Sequence, residues 1–567
     1  MRSIAALAIL LALPAMALDE IRPDLWPLSS DLRIRVLRGR DLSLEVRARA
    51  DDSWAGIARR VAAAEDRAAA IAASNPGGKA AEGDWVRVPL ALLSTEYRSL
   101  VLTSLFPEDR RKDGDWVHVA RKGRLATYDA GMWQIAEWFT GRGDTFGKLM
   151  AANDLDSPEV VLGQEIRIPA ELLHPGLRAS RGSADGRLQY GSDERGPYAI
   201  YRLKQGEALY SAVVIRFTGR TKAADVVAVA KQIQERSAIS DLHDIPVGFP
   251  VKIPFDVLEP EFLPDDDPRL VEADAARREI EAELARAPVR PARSGLEGVV
   301  IILDPGHGGR DLGTMNNGIW EHDYVYDVAC RLKQRLDERT AAKVYLTLLD
   351  EQTGCAPSQT DKLVANREGT IQTQPPFLAR DNGEATIGVN LRWYLANSLF
   401  RKERAAGTDP DRVVFLSLHA DSRHPSLSGV MVYVPGANHA GKTHGFSSKT
   451  YTRFAEVREE QYVTLSSKER IRSEAVSQKL AEEIVRAFQD GKLPIQPYQP
   501  VRNRIIRGRS TFVPAVLRGN TVPTKVLVEM VNLSNASDAS LLANARERER
   551  LAEALFQSLL THYKVRD

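Results

Sequence analysis

Cysteine is nearly absent from this chain, with only Cys330 and Cys355 among 567 residues. Two cysteines do not make a disulfide scaffold. Cys330 lies on an amphipathic helical pattern and reads as a core residue, a bridge to Cys355 being the alternative. Net charge is missing as well: 77 Lys and Arg against 76 Asp and Glu leave +1. That removes the electrostatic ground for a nucleic-acid partner or an anionic membrane surface. Long apolar runs are lacking beyond the first residues, so no later stretch predicts a membrane span, which takes about 20 residues. What remains is a globular composition, 43% hydrophobic and 27% charged, in a chain too long for one ordinary core. Several domains are expected.

The first residues carry the one distinct apolar run. Met1-Arg2 precedes residues 4–13, then Pro14 and Ala15-Met16-Ala17. A short basic start, an apolar centre and an A-x-A site predict a secretory signal over 1–17, with a mature chain from near Leu18 acting outside the cytoplasm. A buried N-terminal helix is the alternative.

Three segments share one ending: Gly83-Asp84-Trp85-Val86-Arg87-Val88-Pro89, Gly163-Gln164-Glu165-Ile166-Arg167-Ile168-Pro169 and Gly248-Phe249-Pro250-Val251-Lys252-Ile253-Pro254. Each is a turn glycine, a short alternating strand and a stopping proline, with a helical pattern upstream. The second copy adds a helix ending at Asn153, suited to a left-handed cap. The order strand, helix, helix, strand resembles the LysM module, which binds glycans containing N-acetylglucosamine. The copies span 40–93, 117–173 and 196–258. The third has a long stretch, 223–243, where that module has a short helix and asparagine. Several weak sugar sites would add through effective concentration; modules that only space or dock the enzyme are the alternative. Residues 259–297 follow, an acidic proline-bearing stretch and a charged helical run that predict an exposed tether.

From 298 to 567 the pattern becomes α/β. Residues 299–303 form a continuous apolar run, as in a strand buried on both faces, leading into Asp304-Pro305-Gly306-His307-Gly308-Gly309. Glu321 opens an amphipathic helix, where a carboxylate is favoured. A second buried strand ends in Ser417-Leu418-His419-Ala420-Asp421, and a third delivers Glu529. Strand ends are where open α/β sheets carry their sites. Two imidazoles and a carboxylate, with one position left for water, have the chemistry of a catalytic zinc centre. His322 is the nearest competitor to Glu321, but it points a helical step away. It is read with His424, His439 and His444 as a surface or loop residue.

These motifs, with Asn532-Leu533-Ser534-Asn535 after the third strand, resemble the zinc-dependent N-acetylmuramoyl-L-alanine amidases of the type-3 family. The resemblance implies a mostly parallel or mixed twisted sheet flanked by helices, preceded here by small α+β LysM-like modules. It implies Zn2+ on His307, Glu321 and His419, and Glu529 as the catalytic carboxylate. The bond it implies joins N-acetylmuramic acid to L-alanine of the peptidoglycan stem peptide, in a periplasmic setting. Arg392 with Ala396-Asn397 fits the family's arginine-to-asparagine helix and reads as structural.

Two inserts depart from the family pattern. Residues 349–388 form a long irregular excursion, and Thr347-Leu348 stands where a threonine-arginine pair is usual, with Arg367 or Arg380 as substitutes. Residues 436–473 occupy the place where some cell-division amidases hold an inhibitory helix over the zinc until a protein activator removes it. That implies Glu456, Glu459 or Glu460 as a plug; a substrate-contacting or decorative loop is the alternative. The rival functions are a catalytically inactive peptidoglycan-binding scaffold and a peptidase or deacetylase acting on the same polymer.

Overall fold

The computed structural model describes residues 23–565, apart from 51, 63, 78–79, 113, 179–182, 184–186, 240, 287–291, 293, 317, 366 and 382. The expected secretory signal lies outside the described residues. None of the described helices is long and apolar enough to cross a membrane.

The N-terminal half contains three small antiparallel sheets. In each, the strand entering the repeat pairs with the proline-stopped strand that ends it: Asp41–Arg47 with Trp85–Pro89, Asp115–Val119 with Glu165–Ile168, and Gly196–Arg202 with Pro250–Pro254. Two helical segments lie between the paired strands each time. Asn153 does not take the left-handed cap expected of it. Its φ is −116°, and the left-handed residue is the next one, Asp154, at φ 53°. The Asn153 side chain instead clamps the last strand. It donates to Arg167 O at 2.7 Å and accepts from Arg167 N at 2.7 Å. Asn75 clamps Arg87 in the same way. In the third copy Ser237 takes over, bonding both backbone groups of Lys252 from the end of a longer helix, Ala223–Ser237.

The three modules are not separate beads. Their buried residues form one hydrophobic cluster, from Leu32 through Ile166 to Ile253. The helix Thr95–Leu105 is the connecting piece. Its Arg98 reaches Glu137 O and Trp138 O in the second module, and its Glu96 pairs with Lys252 of the third at 2.6 Å. The charged run expected as a tether is the helix Pro268–Arg286, and it is laid against the C-terminal domain. Its residues are all at least partly exposed, but Glu283 meets Arg472 at 3.4 Å and Leu284 O accepts from Lys479 Nζ at 2.9 Å. Its anchors are polar, which is why an apolar pattern does not reveal the docking.

The C-terminal half is built on a six-stranded mixed sheet. In chain order the strands are β1 (Val300–Pro305), β2 (Lys343–Leu346), β3 (Val413–His419), β4 (Met431–Tyr433), β5 (Val501–Arg502) and β6 (Thr524–Glu529). Their spatial order is β2-β1-β3-β6-β4-β5, with only the β4–β6 pair antiparallel. β1, β3 and β6 are central and covered on both faces, which accounts for their unbroken apolar runs. Four long helices flank the sheet: α1 (Glu321–Arg339), α2 (Ala385–Ala405), α3 (Ser467–Asp490) and α4 (Ala545–His562). Cys330 of α1 is bridged to Cys355, with 5.1 Å between their Cα atoms. Cys330 is a core residue as expected, 1% exposed, and the bridge held as the alternative is formed as well. The bridge pins the start of the 349–388 insert to α1.

One core residue has a measurable consequence. Lys525 of β6 is buried, and among the described residues its ammonium donates to neutral acceptors, Ser473 Oγ at 2.6 Å and Val522 O at 3.0 Å. Burial pushes its pKa down to about 7. Between pH 7 and the ordinary lysine value of about 10.4, the unfolded chain keeps a proton that the native state sheds. Stability therefore rises with pH across that window. Lys525→Met is expected to raise the thermal midpoint at pH 6, and the gain should shrink as the pH approaches 10. A gain independent of pH would show that the ammonium is not the source.

Candidate metal centre and catalytic carboxylate

Each functional side chain stands where a buried strand or a helix must leave the core. β1 ends at Pro305, and the chain turns through Gly306 into His307, whose φ is 66°. A Cβ on Gly306 would lie 2.4 Å from the His419 ring, so only glycine lets the two histidines approach. Their ring centroids are 5.0 Å apart. His307 Nδ1 meets Asp311 Oδ1 at 3.0 Å, a contact that orients the ring so that Nε2 faces the site. From there Nε2 is 3.2 Å from Glu321 Oε1.

Glu321, the first residue of α1, is buried and held at both oxygens. Thr314 N donates to Oε2 at 2.9 Å and Ala420 N to Oε1 at 3.0 Å. Burial alone would raise its pKa, but His307 and His419 outweigh that and hold it well below the usual carboxylate range. Gly313 makes room for it, since a Cβ there would come within 2.7 Å of both Glu321 Oε2 and His307 Cδ2. His419 ends β3, with Nδ1 at 3.1 Å from Glu321 Oε1. One ligand atom from each of His307, Glu321 and His419 thus lies within 4.8 Å of the others.

Glu529 ends β6 directly opposite His419 in the parallel register. Asp421 N donates to its Oε2 at 2.8 Å, and Arg423 Nη2 to its Oε1 at 3.3 Å. Burial, assisted by the Asp421 carboxylate and opposed by Arg423, pushes its pKa up to about 7. A carboxyl poised there exchanges a proton readily near neutral pH. The structure therefore brings His307, Glu321, His419 and Glu529 together at the carboxyl ends of the central strands.

His322 is corrected in one respect. It lies a helical step from Glu321 as expected, but it is a buried residue rather than a surface one, and burial brings its pKa down to about 4. Arg367 and Arg380 are exposed and do not fill the place of the missing arginine. Thr347 donates its hydroxyl to Asp304 instead. Arg392 bonds Asp304, Pro305 O and His307 O from within the core, a structural role at the base of the histidine turn.

The 436–473 insert is held against α2 and the 349–388 insert. Its helices Lys449–Thr452 and Ala455–Glu459 pack against α2 and the other insert through Tyr451, Phe454 and Val457. Glu456 accepts from Gln374 N at 3.0 Å, while Glu459 and Glu460 both pair with Arg401 at 2.6 and 2.7 Å. Arg401 is nine residues beyond Arg392 on α2, about 14 Å along the axis at 1.5 Å per residue. All three plug candidates are thus engaged elsewhere. Deleting 436–473 is accordingly expected to lower the thermal midpoint, because it strips apolar partners from Trp393 and Tyr394, and not to raise activity. A more active, equally stable deletion would restore the inhibitory reading.

Arg423 escaped sequence reasoning. Its only signal is its place two residues after Asp421, and nothing in that spacing says that its side chain turns back to Glu529.

Residues 301–561 match the family described as N-acetylmuramoyl-L-alanine amidase, and residues 132–169 match the LysM domain. Among curated relatives, an uncharacterized cell wall amidase of Bacillus anthracis is 24% identical over 269 residues, 47% of this chain and 36% of that one. The germination-specific N-acetylmuramoyl-L-alanine amidase of Bacillus subtilis is 26% identical over 117 residues, 20% of this chain and 48% of that one. The chain therefore spans between a third and a half of the length of these two relatives. Among solved structures, the N-acetylmuramyl-L-alanine amidase Ami1 of Mycobacterium smegmatis aligns at 17% identity over 48% of this chain and 99% of its own, with a TM-score of 0.30.

Proposed function

We propose, for a chain that carries an N-acetylmuramoyl-L-alanine amidase domain over 301–561 and a LysM domain over 132–169, that it hydrolyses the amide between N-acetylmuramic acid and L-alanine of the peptidoglycan stem peptide. The observation that carries this reading is the convergence of His307 Nε2, Glu321 Oε1 and His419 Nδ1 on one point, with Glu529 in the adjacent register position.

The donor set suits zinc, being two imidazoles and one carboxylate. The Asp311 contact orients the His307 ring, and the glycines at 306 and 313 leave the ligands free to close. Zinc held there would supply Lewis-acid polarisation of the scissile carbonyl and activation of water near neutral pH. The chain's own part is proton handling and alignment. Glu529 takes a proton from the attacking water at the oxygen not engaged by Asp421 N and delivers it to the departing L-alanine amine. Asp421 N and Arg423 fix the plane of its carboxylate while it does so.

The front half would hold the polymer. Trp133, in the first turn of the helix Met132–Thr140, and Val161 and Leu162, on the loop before the last strand, are exposed in the second module; Met132 N donates to Pro158 O between the two segments, and such apolar side chains suit sugar-ring faces. Because the modules share a core, they would present the glycan at a fixed offset from Glu529. Peptidoglycan lies outside the cytoplasm, so the activity calls for export and fits an oxidising compartment in which Cys330–Cys355 persists.

Digestion of purified sacculi, with products identified by mass spectrometry, tests the reading. Free stem peptides beside intact glycan strands are expected. Shortened peptides still attached to glycan would indicate a peptidase, deacetylated sugars a deacetylase, and an unchanged sacculus a scaffold.

A further inference from the structure

The third module touches the catalytic half beside Glu529. Thr221, in the turn before the helix Ala223–Ser237, accepts from Arg423 Nη1 through its hydroxyl at 3.3 Å, and its carbonyl accepts from His424 N at 2.9 Å. Lys222 Nζ stands 3.7 Å from Asp421 Oδ2. Around this point Arg502 Nη1 donates to Gly219 O at 2.9 Å, Arg504 pairs with Glu259, and Tyr210 lies on His424 with ring centroids 4.8 Å apart. Leu427 of the catalytic half belongs to the module cluster rather than to the core beneath its own sheet. At the junction Thr221 and Arg423 are buried, at 4% and 3% exposure.

Arg423 is therefore held between two parts of the chain. One side of its guanidinium meets Thr221; the other meets Glu529 Oε1 and Asp421 Oδ2. A planar fork spans two carboxylates and a hydroxyl at once, which a lysine ammonium does not. A carboxylate that must accept a proton from one direction gains from having its rotamer locked by such groups.

We propose that Arg423 is a positioning residue for Glu529, and that the third module, through Thr221, holds Arg423 in place, so that the active site is completed across the domain boundary. This rests on the amidase reading for the role of Glu529, but the physical link from Thr221 to Glu529 does not. The third module is then part of the catalytic unit, and the modules upstream are fixed to it through Lys252 and Glu96.

The test uses the full chain and a soluble disaccharide-peptide as substrate. Thr221→Val keeps the shape and removes the acceptor; it is expected to lower kcat roughly tenfold, as loss of a buried hydrogen bond to a charged group does, with KM within about twofold of wild type. Thr221→Ser, which restores the hydroxyl, recovers most of the loss. Arg423→Lys lowers kcat by at least as much as Thr221→Val, with metal content unchanged. In metal-free protein, amide hydrogen exchange over 421–424 is expected to quicken in Thr221→Val and return towards wild type in Thr221→Ser. Wild-type kcat and exchange in Thr221→Val overturn the proposal, as does a rise in KM at constant kcat, which would make the junction a substrate-holding surface. A wild type that releases no stem peptide overturns the amidase reading alone; exchange over 421–424 then still decides whether the third module holds Arg423 on Glu529.

Discussion

Glu529→Gln is expected to lower kcat by roughly 10²–10⁴-fold, the range for removal of a positioned general acid–base group, with metal content and KM near wild type. The substitution is nearly isosteric. The amide keeps one oxygen to accept from Asp421 N, but its nitrogen then faces the Arg423 guanidinium, donor against donor. More importantly, the amide takes up no proton at neutral pH. Metal analysis separates this from loss of the centre, because the proposed ligands His307, Glu321 and His419 do not include Glu529. A Glu529→Gln protein that retains metal and turns over at the wild-type rate would remove Glu529 from the mechanism.

The pH dependence follows from the same carboxyl. Burial raises its pKa to about 7, so the ionised form that accepts a proton is depleted below that value. The rate is expected to climb with pH through an acid limb, and a cation at the three ligands moves the limb to lower pH. The stability sign is opposite. Between the unfolded carboxyl value of about 4.3 and 7, the native state binds a proton that the unfolded chain has lost, so this group's contribution to stability falls as pH rises through that window. Glu529→Gln abolishes that slope. Metal-free unfolding midpoints at pH 5 and pH 8 measure it.

How much was legible in the sequence divides along a physical line. Side chains placed by the backbone could be read: a strand buried on both faces must be continuously apolar and must end abruptly, so His307, His419 and Glu529 announced themselves as polar residues at the ends of such runs. The module repeats were legible for the same reason, in turn glycines and stopping prolines. Contacts made by long side chains across large sequence gaps were not. Arg98 bonds carbonyls 39 and 40 residues away, and Arg423 meets Thr221 across 202. A guanidinium on a flexible stem leaves no periodicity. The Asn153 misreading belongs to this group too, since its helix end was visible and its clamp on Arg167 was not. The bridge from Cys330 to Cys355 depended on the path of an irregular insert, which composition does not describe.

Arg392→Met is expected to destabilise the catalytic half by about 3–5 kcal/mol, the cost of leaving one partner of a buried pair uncompensated. Asp304 is fully buried at the end of β1, with one oxygen engaged by Arg392 and Thr347 and the other accepting from Ser417 Oγ at 2.6 Å. These contacts tie β1 to β3, to the chain after β2 and to α2. The same guanidinium bonds Pro305 O and His307 O, so it also fixes the turn that presents His307. The two roles separate in a double variant. Arg392→Met with Asp304→Asn removes the orphaned charge and should recover part of the unfolding free energy in metal-free protein. It should not recover metal affinity, because the His307 carbonyl stays untied and the histidine loses its fixed approach to Glu321. Calorimetry on metal-free protein and a zinc titration read these separately. If affinity returned together with stability, Arg392 would be holding the sheet alone, and the His307 turn would owe its geometry to Asp311 and the neighbouring glycines.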